Sequence, residues 1–333
     1  MTYDQIALVP RYFDGHSRSD LDVETEFLGY TFKLPVVPAN MSSVVGVDTC
    51  RYLANNGYFY IMHRFLHEDD GWIKFVRTAN KENWPIISVS VGVSNDELAL
   101  IKRVIDEQLR IDFVTIDIAH GHCALMQRAI EFIKKTMPDV KIIAGNVCTS
   151  DGAFDLYKWG ADCVKVGIAQ GGACSTYGKT GFGLGMPETL ETIFSRGEIF
   201  PIIADGGVRT NGDIAKAIAL AGESMRYARE GVGAKELTYY PPILVMAGSI
   251  FAACTDSPTF ENESGEKLYY GSASRTQKGH SKNVEGFEVW IPNNGMTLEE
   301  KLEEIKQDLQ SAVSYSGGTS LESLKTTPNS FSR

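Results

Sequence analysis

No apolar run in the 333-residue chain approaches the roughly 18 residues a membrane-spanning helix requires. The opening MTYDQIALVPRYFDG also lacks the charged-then-apolar layout of a signal peptide. Basic residues are in deficit, with 32 Lys and Arg against 42 Asp and Glu and a formal net charge of -10. That balance argues against general nucleic-acid binding. It leaves room for a small anionic ligand, which needs only a few backbone amides and cations. Cysteine is sparse and unpatterned. Cys50, Cys123, Cys148, Cys163, Cys174 and Cys254 show neither CxxC nor metal-ligand spacing. They read as reduced thiols of a cytoplasmic protein, most of them small buried residues.

Short β-branched runs are abundant, separated by segments of helical periodicity. They are PVVPANM (35–41), FYIMH (59–63), PIISVSVG (85–92), FVTIDIAHG (113–121), KIIAGNV (141–147), CVKVGI (163–168), PIIADGGV (201–208) and ILVMAGSIFA (243–252). Near-continuous apolar runs suit strands covered on both faces. Between them, NDELALIKRVIDEQL and ALMQRAIEFIKKTM carry apolar residues at helical spacing. Strand count alone also fits an open doubly wound sheet. The ends of the runs decide for an α/β fold of the (β/α)8 TIM-barrel type, because nearly every run stops at something polar or glycine-rich. Barrels gather their chemistry at the C-terminal ends of many strands at once.

The expected organisation is one barrel domain over 1–333. Residues 1–34 form an N-terminal extension over the barrel bottom or a neighbouring subunit. Residues 253–296, polar and rich in turn formers, form an active-site flap. TLEEKLEEIKQDLQSAVSYSGG forms a C-terminal helix that starts at a Thr cap and stops at glycines. An insertion over 223–242 precedes the eighth strand at the barrel bottom, either as an oligomer or partner contact or as a tolerated surface segment.

Three motifs stand out as chemistry. Asp205-Gly206-Gly207 follows a buried run, where a carboxylate can accept from two ribose hydroxyls and glycines admit close backbone approach. Gly248 and Ser249 end the last run and can offer amides and a hydroxyl to a phosphate. For either motif alone, simple tight turns explain the glycines as well. Cys174 lies in GIAQGGACSTYGKTGFG, among glycines and hydroxyls after a strand. An amide cluster there lowers a thiol pKa, so Cys174 reads as a nucleophile rather than a packing residue. His120 and His122 in AHGH have no third ligand nearby in sequence, so no zinc is expected. His120 is placed instead at the border of a cofactor pocket.

In order along the chain, YDQIALVP, PVVPANM, GYFYIMHRF, TIDIAHGH, IIAGNV, KVGI, CST, TGFG, IIADGGVRTNGDIAKAI, MAGS, YYGSAS, KNVEG and DLQSAVSYSGGT together resemble the IMP dehydrogenase/GMP reductase family. The chain looks closest to its GMP reductase branch. The resemblance implies an NADPH-dependent enzyme that converts GMP to IMP and ammonia through a covalent bond between Cys174 and the purine. It implies Thr176 as the proton relay and Asp205 as the ribose ligand. Gly206, Gly207, Gly248, Ser249, Tyr270 and Gly271 surround the phosphate side of the substrate, and Asn40 and Met41 lie beside the base. Asp117, Ala119, His120 and Gly121 flank the nicotinamide. The carbonyls of Ala169, Gly171 and Cys174 match a potassium-holding loop, and relatives form homotetramers.

Three departures accompany the match. The loop before Cys174 reads Ala169-Gln170-Gly171-Gly172-Ala173, with an alanine where the family has a glycine, and an alanine resists positive φ. Arg275 stands in GSASRTQKG where reductases carry a glutamate, which places a cation on the substrate side of the flap. The insertion over 223–242 is the third. Two alternatives follow. Arg275 could redirect the same covalent chemistry to a modified or deoxy purine nucleotide, or the chain could be a non-catalytic nucleotide-binding homologue.

Overall fold

The computed structural model describes residues 1–66, 70–169, 176–231, 240–271, 274 and 286–331. Strand β1 (Ile6–Leu8) is followed by a tight hairpin of β2 (Thr25–Phe27) and β3 (Tyr30–Phe32). The alternation then begins with β4 (Val36–Pro38), α1 (Val47–Asn55) and α2 (Gly71–Lys81). It continues with β5 (Ser88–Val91), α3 (Asn95–Asp106), β6 (Phe113–Asp117), α4 (Ala124–Thr136), β7 (Lys141–Val147) and α5 (Ser150–Lys158). Next come β8 (Cys163–Val166), α6 (Thr176–Thr180), α7 (Met186–Thr192), β9 (Ile202–Asp205), α8 (Asn211–Gly231), β10 (Ile243–Ala247) and α9 (Ser249–Ala252). The chain ends with β11 (Glu266–Tyr270), β12 (Glu288–Pro292), α10 (Leu298–Tyr315) and β13 (Asn329–Phe331).

Seven parallel strands form one sheet in the order β4-β10-β9-β8-β7-β6-β5. Beyond β5 the run at 59–63 supplies the eighth stave. It pairs through a single parallel bridge, Met62 with Val89, in which Met62 N donates to Ser88 O at 3.1 Å. Each stave leads into helix, and the arrangement is a (β/α)8 barrel. Strands β5 and β8 are buried at every position and β10 likewise. This is the physical counterpart of their unbroken apolar sequence.

The hairpin β2–β3 closes the N-terminal end of the barrel. Phe27 meets Phe59 at 5.1 Å between ring centroids, and Phe59 meets Phe113 edge-on at 4.9 Å. Tyr30 lies 5.1 Å from Phe113. Phe59 and Phe113 open their strands, so these rings stack where the strands begin. The first residues lie at the opposite end, beside the turn that follows β9. Tyr3 is buried, and its ring would stand 3.3 Å from a Cβ on Gly207.

Local sequence sets the helix boundaries. Ser94 and Thr149 cap α3 and α5 by accepting from Glu97 N and Gly152 N. Thr297 and Glu300 form a reciprocal capping box on α10, which ends before Gly317 at φ +80°. Within the expected insertion, residues 223–231 are the last turns of α8, and residues 232–239 lie outside the described set. The flap region carries regular structure that its turn-rich composition did not signal. Strands β11 and β12 pair antiparallel over five registered pairs, from Glu266 with Pro292 to Tyr270 with Glu288.

Replacing Phe113 by Ala removes the ring that three aromatic partners share. The expected loss is about 3–5 kcal/mol of stability, read from urea unfolding. A loss below about 1 kcal/mol would show that the hairpin does not depend on this packing.

Candidate active site

Sheet order and register place the strand-end residues in an arc. Ala247 lies opposite Pro38 and Met246 opposite Asp205, so the segments after β4, β10 and β9 emerge side by side. Asn40 and Met41, Gly248 and Ser249, and Asp205 to Gly207 are thereby neighbours around one rim. Asp117, at the end of β6, closes the arc from the other side.

A buried cation joins the two sides. Lys165 on β8, with a side chain 3 % exposed, sends Nζ to Asp205 Oδ2 at 2.5 Å and to Asp117 Oδ1 at 2.9 Å. Asp205 is on the neighbouring strand, but Asp117 is two strands away, across β7. Register explains the reach. Gly145 of β7 lies opposite both Asp117 and Lys165, so the intervening position has no side chain. A Cβ there would stand 2.4 Å from Lys165 O and 2.7 Å from Lys165 Cβ. Immediately after Gly145 the pairing of β7 with β8 slips by one residue, leaving Asn146 out of register. Such an irregularity re-aims a side chain. Asn146 Nδ2 donates to Asp205 Oδ2 at 2.8 Å and to Gly167 O at 2.7 Å.

The electrostatics follow from this geometry. Burial alone would raise the Asp117 pKa, but Lys165, Arg64 and Asn40 outweigh it and hold the carboxyl below its usual range. Burial likewise works against the Lys165 ammonium, and Asp117 and Asp205 overcome it and push its pKa up. Arg64 is itself anchored, with Nη1 donating to Glu97 Oε1 at 2.6 Å. Asn40, 4 % exposed, favours the ionised Asp117. Its Nδ2 has no hydrogen-bond partner of good geometry among the described residues.

The turn after β6 is tied to the end of β7. Ile118 N donates to Gly145 O at 3.0 Å, and Gly121 N donates to Asn146 O at 2.7 Å. This fixes Ala119 and His120 between two anchored residues. His122 points to α5, where Nε2 meets Asp155 Oδ2 at 2.9 Å and the ring rests 5.9 Å from Trp159. Among the described residues no cluster of three or more His, Cys, Asp or Glu could hold a metal ion.

At the turn after β9, Gly206 and Gly207 adopt φ of +109° and +83°. Gly248 meets a different constraint, since a Cβ there would lie 2.3 Å from Tyr269 Oη. Tyr270, buried and next in sequence, is held to the segment after β4. Ser43 Oγ donates to Tyr270 O at 2.9 Å, and Ser42 Oγ donates to Tyr270 Oη at 3.3 Å. Gly271 follows directly. Met41 Sδ lies 3.9 Å from Tyr269 Oη.

The loop after β8 departs from the sequence expectation. Ala169 adopts φ +71° despite its methyl group, a conformation that costs a non-glycine residue about 1–2 kcal/mol. Gly167 precedes it at φ +133°, where a Cβ would stand 2.2 Å from Asp205 O. Thr176 opens α6, and its carbonyl accepts from Thr180 Oγ1 at 2.7 Å. Gly171, Cys174 and Arg275 lie outside the described residues.

Arg64 and Lys165 were missed by sequence reasoning. For Lys165 a signal existed, namely a lone charge inside the apolar run CVKVGI, which an aqueous surface does not explain.

A family model described as IMP dehydrogenase / GMP reductase domain matches residues 1–238. The chain is 42% identical over 327 residues to the GMP reductase of Lactococcus lactis subsp. cremoris (strain SK11), covering 97% of this chain and 92% of that protein. It is 43% identical over 328 residues to the GMP reductase of Oenococcus oeni (strain ATCC BAA-331 / PSU-1), covering 97% and 94%. With the GMP reductase of Bacillus anthracis it shares 42% identity over 328 residues, covering 97% and 93%.

Two outcomes are expected from this geometry. Gly167→Ala combines an unfavourable φ with a clash on the Asp205 carbonyl, and should lose at least about 1–3 kcal/mol in urea unfolding. Asp117 titrates lower in the folded chain than in the unfolded one, where about 3.9 is usual. Its contribution to stability is therefore complete above that value and lost as pH falls below it. The gap between the denaturant midpoints of wild type and Asp117→Asn should be constant at about pH 5 to 6 and narrow progressively as pH falls below about 3.9; a gap that stays constant as far down as the chain remains folded would refute the ion pair.

Proposed function

The chain belongs to the IMP dehydrogenase/GMP reductase family, and from that premise we propose that it is a GMP reductase, converting GMP to IMP and ammonia with NADPH as reductant. The observation that carries the reading is the arc of strand-end groups, in which a ribose-type carboxylate, a glycine-lined phosphate rim and an amide-bearing turn share one barrel mouth. In this reading Asp205 accepts the ribose hydroxyls, and Gly206, Gly207, Gly248, Ser249, Tyr270 and Gly271 enclose the phosphate. Asn40, whose buried side chain also favours the ionised Asp117, and Met41 face the base.

The chemistry centres on Cys174. Its thiolate attacks C2 of the purine, a carbon–sulfur bond forms, and the bond from C2 to the amino nitrogen breaks to release ammonia. Thr176 moves the proton that the departing nitrogen requires. Bound NADPH would supply the hydride that C2 gains, and Cys174 would then leave as thiolate. The net change consumes one NADPH and one proton and yields IMP, ammonia and NADP+.

The residues present fit a nicotinamide donor. Asp117 is held anionic, and the turn through Ala119, His120 and Gly121 is pinned by two backbone hydrogen bonds. An anion and a rigid turn suit a ring that becomes cationic on giving up hydride. In this reading the carbonyls of Ala169, Gly171 and Cys174 would hold a potassium ion, and of these Ala169 is in the left-handed region at φ +71°. The reading also carries a homotetramer and a cytoplasmic setting. Among the described residues the cysteines are free thiols, and no helix is long and apolar enough to cross a membrane.

Purified protein given GMP and NADPH in potassium buffer should lose the NADPH absorbance band with release of one ammonia per NADPH. Cys174→Ala should abolish that turnover, by at least about 10³-fold, while still binding GMP. No turnover with GMP, but turnover with a modified or deoxy purine nucleotide, would move the assignment to the substrate that Arg275 accommodates.

A further inference from the structure

The two carboxylates of this rim belong to different ligands in the functional reading, Asp205 to the nucleotide ribose and Asp117 to the nicotinamide. One side chain touches both. We propose that Lys165 is a positioning residue shared by the two half-sites, setting the ribose carboxylate and the nicotinamide carboxylate in register through one buried ammonium. The inference rests on the functional reading for the identity of the two ligands, and on the geometry for the coupling.

Four observations support it. The ammonium is within hydrogen-bond distance of both carboxylates, at 2.5 and 2.9 Å. It has no solvent-facing role, since its side chain is 3 % exposed, whereas the two acids are 13 % and 21 % exposed and open toward the barrel mouth. The intervening strand is cut back to glycine at the position the lysine crosses. Finally, Asn146 binds the same Asp205 oxygen that Lys165 holds, so that oxygen is saturated from the protein side.

A structural salt bridge would need one acid, and two half-buried carboxylates around one buried lysine leave a net negative charge. That excess is tolerable where ligands bring hydroxyl donors and developing positive charge. Around Asp117 the other groups are Arg64, paired with Glu97, and Asn40; around Asp205 it is Asn146. None of these touches both acids. Among the described residues Lys165 alone makes the connection.

The test compares wild type, Lys165→Met and Lys165→Arg. Turnover of wild type with GMP and NADPH is measured first, and its absence indicts the functional reading. The coupling is read separately, from calorimetric dissociation constants of GMP and of NADPH, each bound alone. Lys165→Met should weaken both ligands by about tenfold or more, with Lys165→Arg recovering most of the loss for both. In turnover, the acid limb of kcat/KM for NADPH should move to higher pH in Lys165→Met, because Asp117 loses its nearest cation. A folded Lys165→Met that binds either ligand as wild type does, or keeps the wild-type acid limb, overturns the proposal. Should the single variant fail to fold, the charge-balanced pair Lys165→Met with Asp117→Asn is compared with Asp117→Asn alone. Weaker GMP binding in the pair supports the proposal and equal binding overturns it.

Discussion

A lysine ammonium held between two acids inside the barrel is the interaction on which the rest of the rim depends. Moving a charge from water into protein costs several kcal/mol per ion unless geometry and hydrogen bonding repay it. Here the repayment comes from strands β6, β8 and β9 at once, so the register of those strands cannot slip without stranding a charge. Neighbouring strands lie about 4.8 Å apart, and a lysine stem is long enough to pass over one missing side chain. The glycine at 145 is therefore as much a part of the ion pair as the three charged groups.

The same logic explains the irregularity next to it. Were β7 regular, Asn146 would alternate away from the interior side on which Gly145 lies. The slipped register frees its amide to bridge Asp205 and the carbonyl of Gly167. The loop that follows β8 thus starts from a residue fixed on three sides: by Asn146, by the close approach of Asp205 O, and by its own positive φ. Ala169 then accepts a backbone conformation that its side chain disfavours, because the segment before it is over-determined. Strain stored in this way lies just ahead of the sequence segment that carries Cys174.

Much of this was legible in the sequence. Buried parallel strands read as unbroken apolar runs, and their polar endings pointed to one face of a barrel. Other features were hidden for physical reasons. The run FYIMH has strand composition but makes one bridge, since pairing depends on a neighbour's register and not on its own residues. The arm β12 exposes Val289 and Trp290, so it lacks the half-buried alternation that identifies a strand. Lys165 sat in plain view inside CVKVGI, yet its partners come from strands dozens of residues away, and spacing along the chain cannot show a contact made across a sheet. Ala169 illustrates the opposite failure, where a sound local preference was overridden by tertiary context.

The pairing of β4 with β10 has a consequence for how the molecule is made. The two strands are neighbours in the sheet but stand at nearly opposite ends of its sequence. During translation the outer edge of β4 has no mate until most of the polypeptide has left the ribosome. Closure of the cylinder is accordingly a late event, and nascent chains carry an open apolar seam until β10 arrives.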